Sequence, residues 1–397
     1  MHCSTDRVRS LRRVLIAGGV QAMYVRDTVN IEWLTGFQGV FDDEQAHAMF
    51  VPTLEKWAYL HSDSRYITAL EREAKDTLIC INSESMRFSE WLYSMWSRYL
   101  YHFADELPAR PLMAIEDSIS LSQYRAMERE FAKGYADALQ GATLESLEVT
   151  LEGAYLPFEE TDGLILQLRA RKDDTEIDKL RAAQAITDKA FDHIIGFIAP
   201  GMTEREIQLE LDNEMMRLGA DSLAFQTIIA SGDNGASPHA IVSERKVRRG
   251  ECIVMDFGAR KDGYCSDMTR TVFIGEPDAE MRKAWDTLRR ANETVEDSLH
   301  PGMTGREAHE MAISVLAEGG FADAMGHGLG HGVGMQIHEE PVLSPRNAKP
   351  LQSGNVVTVE PGIYIPGRFG MRLEDFGVIT EQGFDRFTTS THEMVVI

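Results

Sequence analysis

Residues 251–275 read ECIVMDFGARKDGYCSDMTRTVFIG, two β-branched-rich runs on either side of Lys261-Asp262-Gly263. That tripeptide has the turn chemistry of a tight hairpin. A two-residue loop at Lys261-Asp262 puts Asp256 directly opposite Asp267, and one at Asp262-Gly263 puts the two on the diagonal. In both registers the carboxylates share one face. Two like charges at that separation raise each other's pKa and repel, which an interior tolerates badly unless a cation lies between them. For an isolated pair, a solvated hairpin face is the competing account.

The pattern recurs. Residues 356–380, VVTVEPGIYIPGRFGMRLEDFGVIT, carry Glu360 and Glu374 on two more strand-like runs around Pro366-Gly367-Arg368. Pairing Ile365 with Phe369 across that three-residue loop sets Glu360 opposite Glu374. Upstream, Pro-Gly-Met-Thr-x-Arg-Glu occurs at 200–206 and again at 301–307, an offset of 101 residues against 104 for Asp256 to Glu360 and 107 for Asp267 to Glu374. Thr203 with Glu206, and Thr304 with Glu307, each read as a capping box at a helix start. A duplicated helix-plus-hairpin unit, with its halves related by a pseudo-two-fold axis, would bring all four carboxylates together.

A ligand of a different kind is offered by residues 325–341, MGHGLGHGVGMQIHEEP, where His327, His331 and His338 alternate with glycines. So many glycines disfavour a helix and predict extended backbone packed closely enough to aim imidazoles inward. A lone histidine is more often structural; three in this short stretch, just before a carboxylate hairpin, point to function. A phosphate-loop reading of Gly328-x-Gly330 lacks the strand-to-helix frame and the Lys-Ser/Thr ending. Asp256-Phe257-Gly258 spells a kinase tripeptide without the other kinase motifs.

At these residues the chain resembles the pita-bread metallopeptidases, in the branch of the Xaa-Pro aminopeptidases and Xaa-Pro dipeptidases (prolidases). Residues 30–37, NIEWLTGF, resemble a segment of that family's N-terminal domain. The resemblance implies an α+β fold: a C-terminal pita-bread domain with an internal pseudo-two-fold repeat over 166–397, preceded by a smaller α/β creatinase-type domain over 1–165. It implies two divalent metal ions held by Asp256, Asp267, His331, Glu360 and Glu374, with Asp267 and Glu374 bridging. His327 and His338 would contact substrate and stabilise the oxyanion, and Glu360 would move the proton. His239, Tyr364 and Arg372 would line the substrate site. The expected reaction is hydrolysis of the bond between an N-terminal residue and proline by a metal-bridging hydroxide, in a homodimer whose N-terminal domain, through Asn30 or Trp33, borders the partner's cleft.

Chemistry bears on the same points independently. An oxygen-rich set with one imidazole suits a hard divalent ion, Mn²⁺ first, with Co²⁺, Fe²⁺ or Zn²⁺ as alternatives. Val342 stands where some prolidases carry an arginine that grips the dipeptide carboxylate, which favours longer peptides unless Arg346 substitutes. Two other readings stay open on this fold: a metal-dependent hydrolase or lyase of a small molecule, and a non-catalytic binding module.

The 397 residues suffice for two domains, each with its own core. A net charge of -23 argues against nucleic acid or an anionic membrane as partner. Cys3, Cys80, Cys252 and Cys265 show no paired spacing, so free thiols in a reducing cytoplasm are expected. Residues 7–25 imitate a signal peptide, but Val8, Leu11 and Leu15 recur at helical spacing before Gly18-Gly19 and a strand. Further strands are expected near 46–51, 57–60 and 77–81, an aromatic helix over 88–103, a linker over 151–162, and a helix over 175–197 with an apolar stripe.

Overall fold

The computed structural model describes residues 3–42, 44–138 and 156–397, in two compact units, Met1–Leu168 and Arg169–Ile397. In the first unit, strands β1 (Ala22–Val25), β2 (His47–Pro52), β3 (Ala58–Ser62), β4 (Ile79–Asn82), β5 (Met113–Glu116) and β6 (Phe158–Thr161) form one sheet in the order β4-β3-β2-β1-β5-β6. Only β2 runs antiparallel to its neighbours. Helices α1 (Cys3–Ala17), α2 (Thr28–Thr35), α3 (Ile67–Glu73), α4 (Phe88–His102) and α5 (Leu121–Ala138) accompany it, and α6 (Leu164–Arg169) follows. Helix α4 buries Trp91, Trp96 and Tyr99 against the sheet and leaves Tyr101 exposed, so three of these four aromatics are core.

Two expectations are corrected in this unit. The stretch read as a linker contains β6, which pairs parallel with β5 at the sheet edge; its alternation of Phe158 with two glutamates is an edge-strand pattern that Pro157 and the acids disguise. The first part of that stretch, 151–155, lies outside the described residues. Asn30 and Trp33 are buried, at 6% and 4% exposure, and the Asn30 amide donates to Glu116 at 2.8 Å. Both side chains pack inside this unit instead of standing at its surface.

The second unit is built twice. Helices α7 (Asp174–Phe197) and α8 (Glu204–Arg217) precede the strands of the first half: β7 (Ser222–Leu223), β8 (Ile228–Ser231), β9 (Cys252–Phe257), β10 (Ala259–Lys261), β11 (Tyr264–Cys265) and β12 (Met268–Phe273). Helices α9 (Ala279–Ser298) and α10 (Gly305–Glu318) precede those of the second: β13 (Gly330–Gly332), β14 (Glu339–Leu343), β15 (Val356–Val359), β16 (Gly362–Ile365), β17 (Phe369–Arg372), β18 (Asp375–Thr380) and β19 (Gly383–Arg386). The final strand, β20 (Val395–Val396), returns to pair with β12, giving sheets ordered β20-β12-β9-β8 and β14-β13-β15-β18-β19.

Both predicted capping boxes are present, Thr203 with Glu206 and Thr304 with Glu307. The correspondence reaches single hydrogen bonds: Gly201 N donates to Val247 O at 2.9 Å, and Gly302 N to Leu351 O at 2.8 Å. Both glycines hold positive φ, 93° and 98°. Each half buries its helix stripe on its own sheet, Ile186, Ala190 and Ile194 of α7 packing with Ile253 and Met255 of β9 in the first. Apolar burial of this kind, rather than propensity, carries most helix stability in a folded domain. Among the described residues no helix is long and apolar enough to cross a membrane.

Because the two caps are equivalent in geometry, Thr203→Ala and Thr304→Ala should each lower stability by about 1 kcal/mol. Thermal denaturation of the two variants checks this, and a loss at one site alone would contradict the equivalence.

Candidate metal centre

Strands β9 and β12 pair with Asp256 opposite Thr269, and the turn falls at Asp262-Gly263, whose φ values are 49° and 79°. This is the diagonal register, and positive φ at both central residues is what a tight type I′ hairpin requires. The strand breaks at Gly258, where a Cβ would stand 2.0 Å from the Ser266 carbonyl oxygen. Only glycine permits that approach, and the break leaves Asp267 free to turn into the same space as Asp256.

In the second hairpin, Ile365 pairs with Phe369 and Gly362 with Arg372, while Val359 pairs with Asp375. Glu360 and Glu374 occupy the facing gap between these pairs, as the three-residue loop predicts. His331 is on β13, beside β15. A Cβ on Gly330 would stand 2.1 Å from the Thr358 carbonyl oxygen, so the small residue lets β13 press against β15 and carries the imidazole inward.

Ligand atoms of Asp267, His331 and Glu374 lie within 4.8 Å of one another. His331 Nε2 is 3.5 Å from Asp267 Oδ2 and 3.4 Å from Glu360 Oε1. Its Nδ1 lies 3.1 Å from the Gly332 carbonyl oxygen; a carbonyl only accepts, so the ring proton is there and Nε2 keeps its lone pair for the cluster. Asp256 Oδ1 is buried without a hydrogen-bond partner, a costly arrangement that a cation relieves. Burial, reinforced by the facing carboxylates, holds Asp267 and Glu374 well above the usual carboxylate range and raises Glu360. Burial lowers His327, His331 and His338, keeping them neutral. Unpaired carboxylate oxygens beside a neutral imidazole fit a hard divalent ion.

Arg372, expected at the substrate, has the protein's own groups as partners. It pairs with Asp256, donates from Nε to Thr269 Oγ1 at 2.9 Å, and donates from a terminal nitrogen to Tyr364 Oη at 2.9 Å. Tyr364 is also buried, its hydroxyl 3.2 Å from His327 Nε2. His327 Nδ1 meets the Gly328 carbonyl oxygen at 2.6 Å, so Tyr364 donates to the remaining ring nitrogen and fixes the tautomer. His239 and His338 are exposed and line the same cleft of about 280 Å³, which has an apolar wall of Phe225, Ile228 and Ile337. Cys252 and Cys265 are buried behind the hairpin, their thiols turned toward the carbonyl oxygens of Gly370 and Met335, and are not ligands.

Two threonines escaped the sequence reading. Thr269 donates to Glu374 Oε2 at 2.6 Å while accepting from Arg372, and Thr358 links the His331 amide to Glu360 Oε1. Thr269 was findable, since the Asp262-Gly263 register sets it opposite Asp256. The apolar wall carried no local signal. Two other acid-histidine groups, His193 with Glu210 and Glu214, and Glu296 with Asp375 and His392, already contain arginines: Arg217 bonds both glutamates of the first, while Arg270 and Arg386 neutralise the second.

Residues 178–381 match the description of metallopeptidase family M24, and residues 7–144 that of the creatinase/prolidase N-terminal domain. The chain is 31% identical over 394 residues to a Bacillus subtilis (strain 168) protein named uncharacterized peptidase YqhT, covering 98% of this chain and 100% of that one. The solved structure of an Xaa-Pro dipeptidase from Bacillus anthracis superposes with a TM-score of 0.84 at 30% identity, over 99% of this chain and 100% of that one. An X-Pro aminopeptidase from Thermotoga maritima MSB8 gives 0.80 at 31%, over 98% and 100%. The fold is therefore a pita-bread domain behind a creatinase-type N-terminal domain. Its buried acids fit the divalent metals that such enzymes use, and with similarity running the whole length, the chain belongs to metallopeptidase family M24.

Proposed function

We propose that this protein is a dinuclear-metal exopeptidase that cleaves between an N-terminal residue and proline, accepting peptides longer than two residues. The observation that supports it most is the convergence of Asp267, His331 and Glu374 within 4.8 Å, beside the unpartnered Asp256 oxygen. Asp256, Asp267 and Glu374 would hold one ion; Asp267, Glu374, His331 and Glu360 would hold the second, with Mn²⁺ the first choice. Bound there, the ions would supply an activated water and polarise the scissile carbonyl.

The protein's own groups do the rest. Glu360, its carboxyl raised by burial, takes the proton of the attacking water and hands it to the departing nitrogen. Before a proline that nitrogen is a tertiary amide with no hydrogen of its own, so it leaves only if protonated. His338 at the cleft edge donates to the developing oxyanion, while His327, held in one tautomer by Tyr364 and Gly328, contacts the substrate beside it. His239 contacts the substrate from the opposite rim.

Preference for longer peptides rests on charge. Among the described residues lining the cleft, Arg372 is the one lysine or arginine, and its guanidinium is engaged by Asp256, Thr269 and Tyr364. Arg346 is exposed and does not line the cleft, and Val342 offers no charge. A dipeptide's terminal carboxylate therefore finds no unengaged lysine or arginine among the described residues lining the cleft. The homodimer and the cytoplasmic location belong to this reading too, supported by the resemblance and by the unpaired buried thiols.

With Mn²⁺, the enzyme should release free amino acid from Xaa-Pro-Yaa tripeptides with a higher kcat/KM than from Xaa-Pro dipeptides. Chelation should abolish both activities, and Mn²⁺ should restore them. No release from either substrate at full metal occupancy would refute the proposal. His338→Ala should lower kcat by roughly a hundredfold, about 3 kcal/mol, as expected for loss of one oxyanion donor. Metal content measured alongside should be unchanged.

A further inference from the structure

The two halves of the catalytic unit diverge at one position of their repeated helix start. Glu204 follows the cap Thr203, and Gly305 follows Thr304. The Glu204 side chain is fully buried and forms no direct ion pair among the contacts described; Arg245, whose charge acts on it, bonds its partner Ser231 Oγ at 2.7 Å instead. The Glu204 carboxylate accepts six hydrogen bonds from one segment: Ser231 N and Oγ, both at 2.8 Å; Asn234 Nδ2, at 3.1 and 2.9 Å to the two oxygens; and Ser243 N and Oγ, at 3.1 and 2.7 Å. Ser231, the last residue of β8, and Ser243 flank the part of the connection to β9 that carries Pro238 and His239 to the cleft. One carboxylate thus closes the loop at its base.

The loop has two further supports. A Cβ on Gly370 of β17 would stand 1.7 Å from the Gly235 carbonyl oxygen, so the middle of the loop lies flush on the strand that carries Arg372. Arg372 itself reaches the Pro238 carbonyl oxygen at 3.4 Å. At the tip, Ile241 is 80% exposed, a large apolar side chain left uncovered beside the cleft residues Pro238 and His239. In the second half no carboxylate fits at the matching place, because a Cβ on Gly305 would meet the Val342 carbonyl oxygen at 2.3 Å. There the Asn347 amide closes the loop to Val342 O at 2.8 Å, and residues 341–349 do not line the cleft.

We infer that Glu204 is a positioning residue for substrate binding, whose carboxylate holds the rim segment 231–243 so that His239 and its neighbours meet the peptide. The inference rests on the reading of His239 as a substrate contact. Glu204 touches neither the ligand cage nor the reacting atoms, so its removal weakens peptide binding and leaves bond cleavage intact.

The test is Glu204→Gln, which keeps the volume but replaces one acceptor oxygen by an NH₂ group facing other donors. Hydrogen bonds to a charged acceptor are each worth on the order of a factor of ten. With Mn²⁺-loaded enzyme and an Xaa-Pro-Yaa tripeptide, KM should rise about tenfold and kcat stay within about twofold. Metal content should be unchanged, and hydrogen exchange should quicken only at amides within 231–243. His239→Ala should also raise KM, but add little in the Glu204→Gln background, because the loop is already displaced. A wild-type KM with unchanged exchange overturns the inference, as does a fall in kcat and metal content at constant KM. If Glu204→Gln does not fold, Ser243→Ala removes two of the six bonds at one end; a raised KM with faster local exchange supports the clamp, and no change in either refutes it. His239→Ala with a wild-type KM, beside a raised KM for Glu204→Gln, would overturn the role given to His239 and leave the clamp standing. If wild-type enzyme released no amino acid, the peptidase reading would fail, and the exchange measurement would still decide the clamp.

Discussion

Mutual repulsion of buried carboxylates is the constraint on which the catalytic unit turns. Asp256, Asp267, Glu360 and Glu374 come from two hairpins about a hundred residues apart in sequence, and folding brings them together along one cleft. Without compensation such a cluster is destabilising, since each charge loses hydration and faces its neighbours. Part of the compensation is permanent. Arg372 pairs with Asp256, and Thr269 passes a hydrogen bond from Arg372 to Glu374. The rest is left to cations, and the Asp256 oxygen without a partner marks where the protein stops supplying its own.

That division of labour explains the packing around the cage. A metal needs neutral imidazole and ionised carboxylate at once, and burial alone favours the first and opposes the second. The structure leans toward the imidazole through the Gly332 carbonyl behind His331. For the carboxylates it relies on threonine hydroxyls, small donors that stiffen the cage without adding charge. A single proton on Thr269 Oγ1, directed to Glu374 by the incoming Arg372 bond, connects the arginine to the far side of the site.

Hairpin registers and the duplication were legible because they depend on local chemistry: turn residues fix which side chains face each other, and a period-two pattern fixes the face. Asp256, Asp267, Glu360 and Glu374 could be named for that reason, whereas His331 was singled out among three histidines by the family resemblance. Phe225, Ile228 and Ile337 could not, because an apolar residue at a cleft reads like any core residue until tertiary packing leaves it uncovered. Glu204 was hidden differently, reading as an ordinary first-turn helix acid that favours the N-terminal dipole; its three partner residues come from a loop whose path the sequence does not state. Strand β6 was missed because acids at a sheet edge look like a solvated connection.

The contrast between Glu204 and Gly305 bears on how a doubled scaffold handles a polar substrate. A peptide has direction, with an amino end and a carbonyl end, whereas twin halves offer the same chemistry from both sides. Keeping the helix caps and hairpins alike preserves one architecture, and varying a single position after the cap gives one half a cleft-lining loop fastened at its base and leaves the other half a bare closure away from the cleft. Asymmetry between the twin halves is thus introduced by one residue at the root of a loop, outside the ligand cage.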